Sequence, residues 1–404
     1  MLSRLQQHLL LDLADDHRLA ALRLQATDLG GEVETTREQL QERSVLSCNL
    51  ILQANDLLGH CHSLPRKELD PPGIRNATLP SPALLFLFLQ ARTSARLGGS
   101  MAKIKVRRTN REELPGVALL RSAVSAETPV EAAMLDLDMA IDPTLEHLMT
   151  HDPDGFFSAL DNEETLGFAA AHMRSRQWVL SDLWVLQQHQ GRGAGEALLK
   201  RVLTYGERSG ARSYLAVVPA GGRIQSLLLR HDFRPGPPVY LFRLRPDTAE
   251  PLAASLARLL PGQEVSRDLL ERRGQSDLDR IDRLVRGMTR EADHVFWLKQ
   301  YRMNAAFVRQ ANRVAAYAYG GAEQAGPVAG NTQDAALAAL GWSIQFARRG
   351  EHRRPIELLV PAPFSPAVDA LLEADARLCA TLLVYGRGSL PSFDRCVLGS
   401  QSLP

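Results

Sequence analysis

Gln190-Gly191-Arg192-Gly193-Ala194-Gly195 is the stretch of this chain whose residue types and spacing could hold a ligand. It follows an apolar run ending Leu183-Trp184-Val185-Leu186 and opens a helical pattern at Glu196-Ala197-Leu198-Leu199. Successive amides at the start of a helix converge on an anion, and the helix dipole adds partial positive charge there. Glycines admit a ligand where a Cβ would clash. The chemistry this predicts is phosphate binding. The third glycine of a G-x-G-x-x-G dinucleotide loop is missing and no Gly-Lys-Ser/Thr ending follows, so the spacing is Q-x-x-G-x-G. The competing reading is an ordinary strand-to-helix turn whose glycines ease the backbone.

Such a loop needs a strand before it and a helix after it, and the chain from Lys103 to about Pro246 alternates the two. Lys103 to Arg107 reads as a strand, Glu112 to Val124 as a helix and Val130 to Met149 as further helical turns. Three strands follow, Phe156 to Ala159, Thr165 to Arg174 and Arg176 to Gln187, with Asp161-Asn162 as a turn. Ala194 to about Glu207 carries Leu198, Leu199, Val202 and Leu203 on one helical face. Ser213 to Val218 reads as the next strand, Gly222 to Arg230 as a helix and Val239 to Leu244 as a closing strand.

The pattern then recurs. Gln275 to Arg286 and Glu291 to Gln300 read as helices, Ala305 to Val308, Asn312 to Tyr319 and Gln324 to Ala329 as strands, and Asp334 to Phe346 as a helix. Val218-Pro219-Ala220 before a leucine-rich helix is echoed by Val360-Pro361-Ala362 before Pro366 to Glu373. A repeat of about 140 residues exceeds solenoid periods and reads as two copies of one domain.

The chain has 404 residues, a formal net charge of +1, and 45% hydrophobic and 23% charged residues, which gives room for two or three soluble domains. A charge near zero supplies no long-range reason to expect nucleic acid or an anionic membrane as partner. Cys48, Cys61, Cys379 and Cys396 form no C-x-x-C pair or disulfide framework, so a cytoplasmic location is expected. His60-Cys61-His62 lacks further ligands at workable spacing, and no metal is expected. The most apolar run, Ala83 to Leu89, is far shorter than the ~20 residues that span a bilayer. Residues 1–100 show no strand-helix alternation and read as an irregular, disordered extension; alternatively Met101, after Gly98 and Gly99, is the true start of translation.

The loop in its strand-to-helix context resembles the pyrophosphate-binding motif of the GNAT superfamily of N-acetyltransferases. Gln190, Gly193 and Gly195 stand at that motif's spacing, after an Asp-Leu-Trp-Val strand and before an amphipathic helix. The resemblance implies an α/β (α+β) fold of two tandem GNAT-like domains, each a mixed, mostly antiparallel sheet flanked by helices, with 101–246 catalytic and 247–404 a second copy. It implies acetyl-CoA as acyl donor, held by the backbone of Trp184, Val185 and Leu186 along its pantetheine arm and by Gln190, Gly191, Arg192, Gly193, Ala194 and Gly195 at its phosphates. Arg192 is otherwise a solvated loop residue.

The implied reaction is direct transfer of an acetyl group to a primary amine of a small molecule or protein. An alkylammonium with a pKa of about 10.4 must lose a proton before it attacks a thioester. Asp182, on the strand that aligns the thioester in the family, is the first candidate base; it could instead pair with an arginine such as Arg174. His172, on the neighbouring strand, is the second candidate, the alternative being a packed histidine. The tyrosine that commonly protonates the thiolate aligns here with Leu228, a departure for which His231 or Tyr240 could substitute. Gly221 matches the family's asparagine. In the second copy, Thr332 to Ala338 falls at the phosphate position with no glycine and with Asp334, so that copy reads as degenerate, walling the acceptor site or bracing the first. Acidic residues Glu131, Asp136, Asp138 and Asp142 could attract a cationic amine or simply be the wet face of a helix. Either a monomer or a homodimer is compatible with the sequence. A non-catalytic acyl-CoA-binding sensor is the alternative function, supported by Leu228.

Overall fold

The computed structural model describes residues 104–126, 143–162, 164–220, 222–266, 272–321, 324–348 and 354–404, all within one compact unit, Ser100–Pro404. The expectations for residues 1–100, for Met101, for the acidic residues between 130 and 142, for Gly221 and for His60-Cys61-His62 lie outside the described residues.

Consecutive apolar residues in the strands are explained by burial on both faces. In β1 (Lys105–Arg108), β2 (Phe156–Asp161), β3 (Glu164–Arg174), β4 (Gln177–Val185) and β5 (Ser213–Pro219), neighbouring side chains point to opposite sides of one sheet. Phe156, Phe168, Val179 and Leu215 pack beneath α1 (Leu114–Ala126) and α2 (Pro143–His151). Phe157, Ala169, Trp178, Leu180 and Ala216 pack beneath α3 (Ala194–Arg208) and α4 (Arg223–Arg230). The first four strands run antiparallel to their neighbours, and β4 runs parallel to β5 because α3 carries the chain back between them.

After β6 (Arg234–Leu244) and α5 (Pro246–Ala257) the same order of elements returns. It comprises β7 (Glu264–Ser266), α6 (Arg272–Arg286), α7 (Glu291–Lys299), β8 (Asn304–Gln310), β9 (Arg313–Gly321), β10 (Gln324–Gly330), α8 (Gln333–Ala347), β11 (Ile356–Pro361), α9 (Ser365–Glu373) and β12 (Arg377–Arg387). A short β13 (Cys396–Val397) pairs with β10. Thus the protein has two tandem halves of one fold, each with a mostly antiparallel sheet flanked by helices.

The halves are joined by an exchange of strands. The sheet is continuous and 13-stranded, in the order β1-β2-β3-β4-β5-β12-β6-β11-β10-β9-β8-β7, with β13 beside β10. The strand that follows α9 in the second half, β12, therefore lies against β5 of the first, with Leu382 opposite Pro219 and Tyr385 opposite Ala216. Reciprocally β6 lies against β11, with Val239 opposite Pro361. At the centre β6 and β12 pair with each other, Val239 opposite Leu382.

Two elements differ from the sequence expectation for a physical reason. The closing strand begins at Arg234 rather than Val239, although Pro235, Pro237 and Pro238 cannot donate ladder hydrogen bonds. They are tolerated because β11 pairs β6 only from Val239 onward, leaving the proline segment with β12 as its sole ladder partner. The three-residue β7 is too short to carry a periodic signal. No described helix is long and apolar enough to cross a membrane.

Buried charge crosses the seam. Asp293 of α7 accepts from Arg174 Nε at 2.9 Å and Nη2 at 2.6 Å, and His147 Nε2 of α2 lies 2.8 Å from the same carboxylate. Arg174 Nη1 also donates to Asp152 at 2.8 Å, and Tyr205 of α3 donates its hydroxyl to the other Asp152 oxygen at 2.7 Å. Burial would raise the Asp293 carboxyl, but the Arg174 guanidinium and the hydrogen bond from His147 hold it well below the ordinary carboxylate range. Asp293→Asn leaves a buried guanidinium half-compensated and should cost about 3–5 kcal/mol, read as a lower urea midpoint of the full chain at pH 7. Because the native carboxyl is depressed, the contribution it makes is present above the unfolded pKa of about 3.9 and lost as pH falls below it, so wild type and variant should converge in acid.

Candidate functional site

An opening between β4 and β5 is built by a bulge. Ala170 is opposite Asp182 but Ala171 is opposite Leu180, so Ser181 is an extra residue in β4. The parallel ladder to β5 covers only Gln177 to Leu180, opposite Ser213 to Ala216. Beyond it β4 is paired with β3 alone and β5 with β12. The two strands diverge towards the helix end of the sheet and leave a cleft with backbone groups along its walls.

Which backbone groups face that cleft follows from one hydrogen bond. Leu186 N–H donates to Leu166 O at 2.9 Å, so in the antiparallel register Leu186 and Trp184 direct their amides towards β3. Leu183 and Val185 therefore present theirs to the open side. Of the three backbones expected to meet a pantetheine arm, Val185 faces the cleft, Trp184 and Leu186 do not, and Leu183 replaces them. The Val185 carbonyl is already taken by Gln190 Nε2 at 2.9 Å.

At the mouth of the cleft lies the glycine loop. Gln187–His189 makes a single 3-10 turn, Gly191 and Gly193 have φ of 77° and 92°, and α3 begins at Ala194 with Gly193 as its N-cap. That left-handed backbone is the reason for glycine here, since a Cβ on Gly193 would meet nothing within 4 Å. No side chain caps α3, so its first amides have no side-chain acceptor. The Gln190 side chain braces the loop, with Nε2 donating to Val185 O and Oε1 accepting from Arg223 Nη1 at 3.4 Å. Arg192 and Arg223 are both exposed beside the loop. Nothing in the spacing of the sequence signalled Arg223, which arrives with the first turn of α4. A Cβ on Gly195 would make only ordinary contacts, 3.7 Å from Leu227 and 3.8 Å from Val185.

The carboxylate of Asp182 projects on the opposite face of β4, the face of α1. It is buried, accepts from Trp184 Nε1 at 2.9 Å, and lies 3.5 Å from Arg121 Nε. The expected alternative partner, Arg174, is committed instead to Asp152 and Asp293. Arg121 on α1 was not anticipated from the sequence. His172 is sealed in the core with Nδ1 2.8 Å from Ser181 Oγ. Burial first, and then the Arg174 charge, push its pKa down to about 3. It is a poor base at neutral pH.

None of the groups considered as thiolate donors reaches the cleft as a free hydroxyl or imidazole. Leu228 is fully buried on the inner face of α4, His231 Nε2 is 3.0 Å from Glu196 Oε1, and Tyr240 packs against the core of the second half because β6 is exchanged. In the second half, Asn331 and Thr332 alone connect β10 to α8. Thr332 Oγ1 accepts from the Ala335 amide, and Ala335, Ala336, Leu337 and Ala338 lie buried within the helix rather than in a loop.

Residues 121–233 match the Acetyltransferase (GNAT) family. Among solved structures, the chain resembles a protein of Pyrococcus horikoshii provisionally described as an acetyltransferase, with 14% identity over 76% of this chain and 99% of the other and a TM-score of 0.58. It also resembles a GCN5-related N-acetyltransferase from Sphaerobacter thermophilus, with 14% identity over 72% and 98% of the two chains and a TM-score of 0.51. These likenesses concern the fold. No curated protein matches the sequence.

The burial of His172 yields a pH signature. Its folded pKa lies below the unfolded value of about 6.5, so the stability from keeping it neutral is complete above that value and is lost as pH falls towards 3. Unfolding free energies measured from pH 7 to 4 should fall more gently in His172→Gln, by up to about 1.4 kcal/mol per pH unit.

Proposed function

We propose that the chain is an acetyl-CoA-dependent N-acetyltransferase whose chemistry lies in the first half. The observation that carries this reading is the uncapped helix start with two left-handed glycines, set at the mouth of the cleft between β4 and β5. Its helix amides, with Arg192 and Arg223, suit a pyrophosphate, and Leu183 and Val185 offer an extended arm strand-like hydrogen bonds. The match of residues 121–233 to an acetyltransferase family supports the same assignment.

Acetyl-CoA, when bound, would supply a thioester carbon open to attack by an amine. Asp182 takes the ammonium proton, directly or through water, with Arg121 Nε 3.5 Å from its carboxylate. The free amine then forms the C–N bond, the nitrogen gives its second proton to solvent, the C–S bond breaks, and the sulfur leaves as thiolate. Since Leu228 replaces the family's tyrosine, solvent protonates that thiolate. His172 serves as packing. The division at 246–247, with 247–404 a degenerate copy, rests on the self-capped start of α8, which has no loop to receive a phosphate. A sensor without turnover is the second reading, favoured by Leu228.

Acetyl-CoA should bind the full chain saturably in calorimetry, and Gly193→Asp should weaken it at least about tenfold by placing like charge and a Cβ in a left-handed position. Asp182→Asn should lower kcat by about 10²- to 10⁴-fold while leaving acetyl-CoA affinity nearly unchanged, measured as acceptor-dependent thiol release across an amine panel. Binding without thiol release from any amine would favour the sensor; absence of binding would remove both readings.

A further inference from the structure

The segment after β12 is held by the second half and reaches the first through Ser402. Past β13, Leu398 N–H donates to Leu359 O at 2.9 Å, and Leu403 N–H donates to Ser400 Oγ at 2.9 Å, closing a turn. Arg290 Nη1 holds Pro404 O at 2.8 Å, and Gln324 donates to Gly399 O. Packing is tight: a Cβ on Gly399 would lie 3.1 Å from the Trp297 ring and 3.1 Å from Leu403 O. From this rigid turn Ser402 Oγ donates to Ser181 O at 3.2 Å, both residues being buried.

Ser181 is the bulged residue of β4, one position beyond Leu180, where the ladder to β5 ends. Its carbonyl orientation sets how the following residues present their backbone to the cleft, and where Asp182 stands. From Val185 at the mouth to Ser181 at the inner end is about 13 Å of extended strand. A ligand with its phosphates on the glycine loop and an extended arm along β4 thus brings its far end to the bulge. We propose that Ser402 is a positioning residue for the acyl group. By holding the Ser181 carbonyl it fixes the bulge geometry, so the second half contributes to the acyl end of the first half's site and not to its phosphate end. This inference rests on the acetyl-CoA reading above.

The contrast between two ligands tests it without knowledge of the acceptor. Acetyl-CoA and CoA share the phosphates and the arm and differ at the acyl end. Calorimetric titration of each into the full chain should show Ser402→Ala binding acetyl-CoA about fivefold more weakly, the loss expected for one hydrogen bond, with CoA changed less than twofold. Ser402→Thr, which keeps the hydroxyl, should retain the original ratio of the two affinities. If Ser402→Ala does not fold, Ser402→Cys takes its place with the same expected shift in the ratio. Equal weakening of both ligands, or no change in either, overturns the proposal while leaving the cofactor assignment intact. If neither ligand binds the unaltered chain, the cofactor assignment fails and the proposal with it.

Discussion

Everything else in the molecule depends on the antiparallel pairing of β6 with β12 at the middle of the sheet. Without it β12 and β6 would each present an open edge, and the sheet would fall into two, each with a row of unsatisfied amides. With it, each half borrows its final strand from the other. The first half's cores consequently contain Leu382 and Val384, or Tyr385, depending on the face, all supplied by β12. The cleft between β4 and β5 inherits this arrangement, because β12 fixes the far side of β5 along the length where β4 has separated from it.

Buried charge at the seam and within the second half shows which effect wins where. Burial acts against every charge there, yet the outcome differs with the partners. Asp282 is fully buried, and burial pushes its carboxyl upwards, but Arg290, His294 and Arg286 outweigh that and hold it ionised. Asp293 follows the same logic with Arg174 and His147. His172 has a guanidinium nearby rather than a carboxylate in contact, so burial prevails and the ring stays neutral. Such clusters contribute little net stability against apolar packing of equal volume, but breaking one partner is costly. They favour one relative placement of α2, β3 and α7 over any slipped alternative.

Much of the fold was legible from periodicity. The α3 stripe of Leu198, Leu199, Val202 and Leu203, the three strands between residues 156 and 185, and the echo of Val218-Pro219-Ala220 in Val360-Pro361-Ala362 all concern local pattern, which sequence carries directly. Strand exchange was not legible, because the pairing of β5 with β12 links residues far apart and no local signal says which edge a strand will join. At the site, the glycines announced themselves through a backbone need for positive φ. The bulge at Ser181 did not, and with it went the turn of the Leu183 amide towards the open side. Arg121, Arg223 and Ser402 reach the site from other elements, so their proximity is a tertiary fact. The hydrogen bond from Gln190 to the Val185 carbonyl likewise depends on how the loop folds back on its strand.

The exchanged strand also has a consequence for biosynthesis. A ribosome releases β1 to β5, and then β6, long before β12, so the first half emerges with the native partner of its β5 edge still unmade. Throughout that interval the nascent chain offers an apolar, ladder-competent margin to the solvent. That margin stays open until Arg377–Arg387 arrives. The protein thus ties completion of its first half to translation of its second.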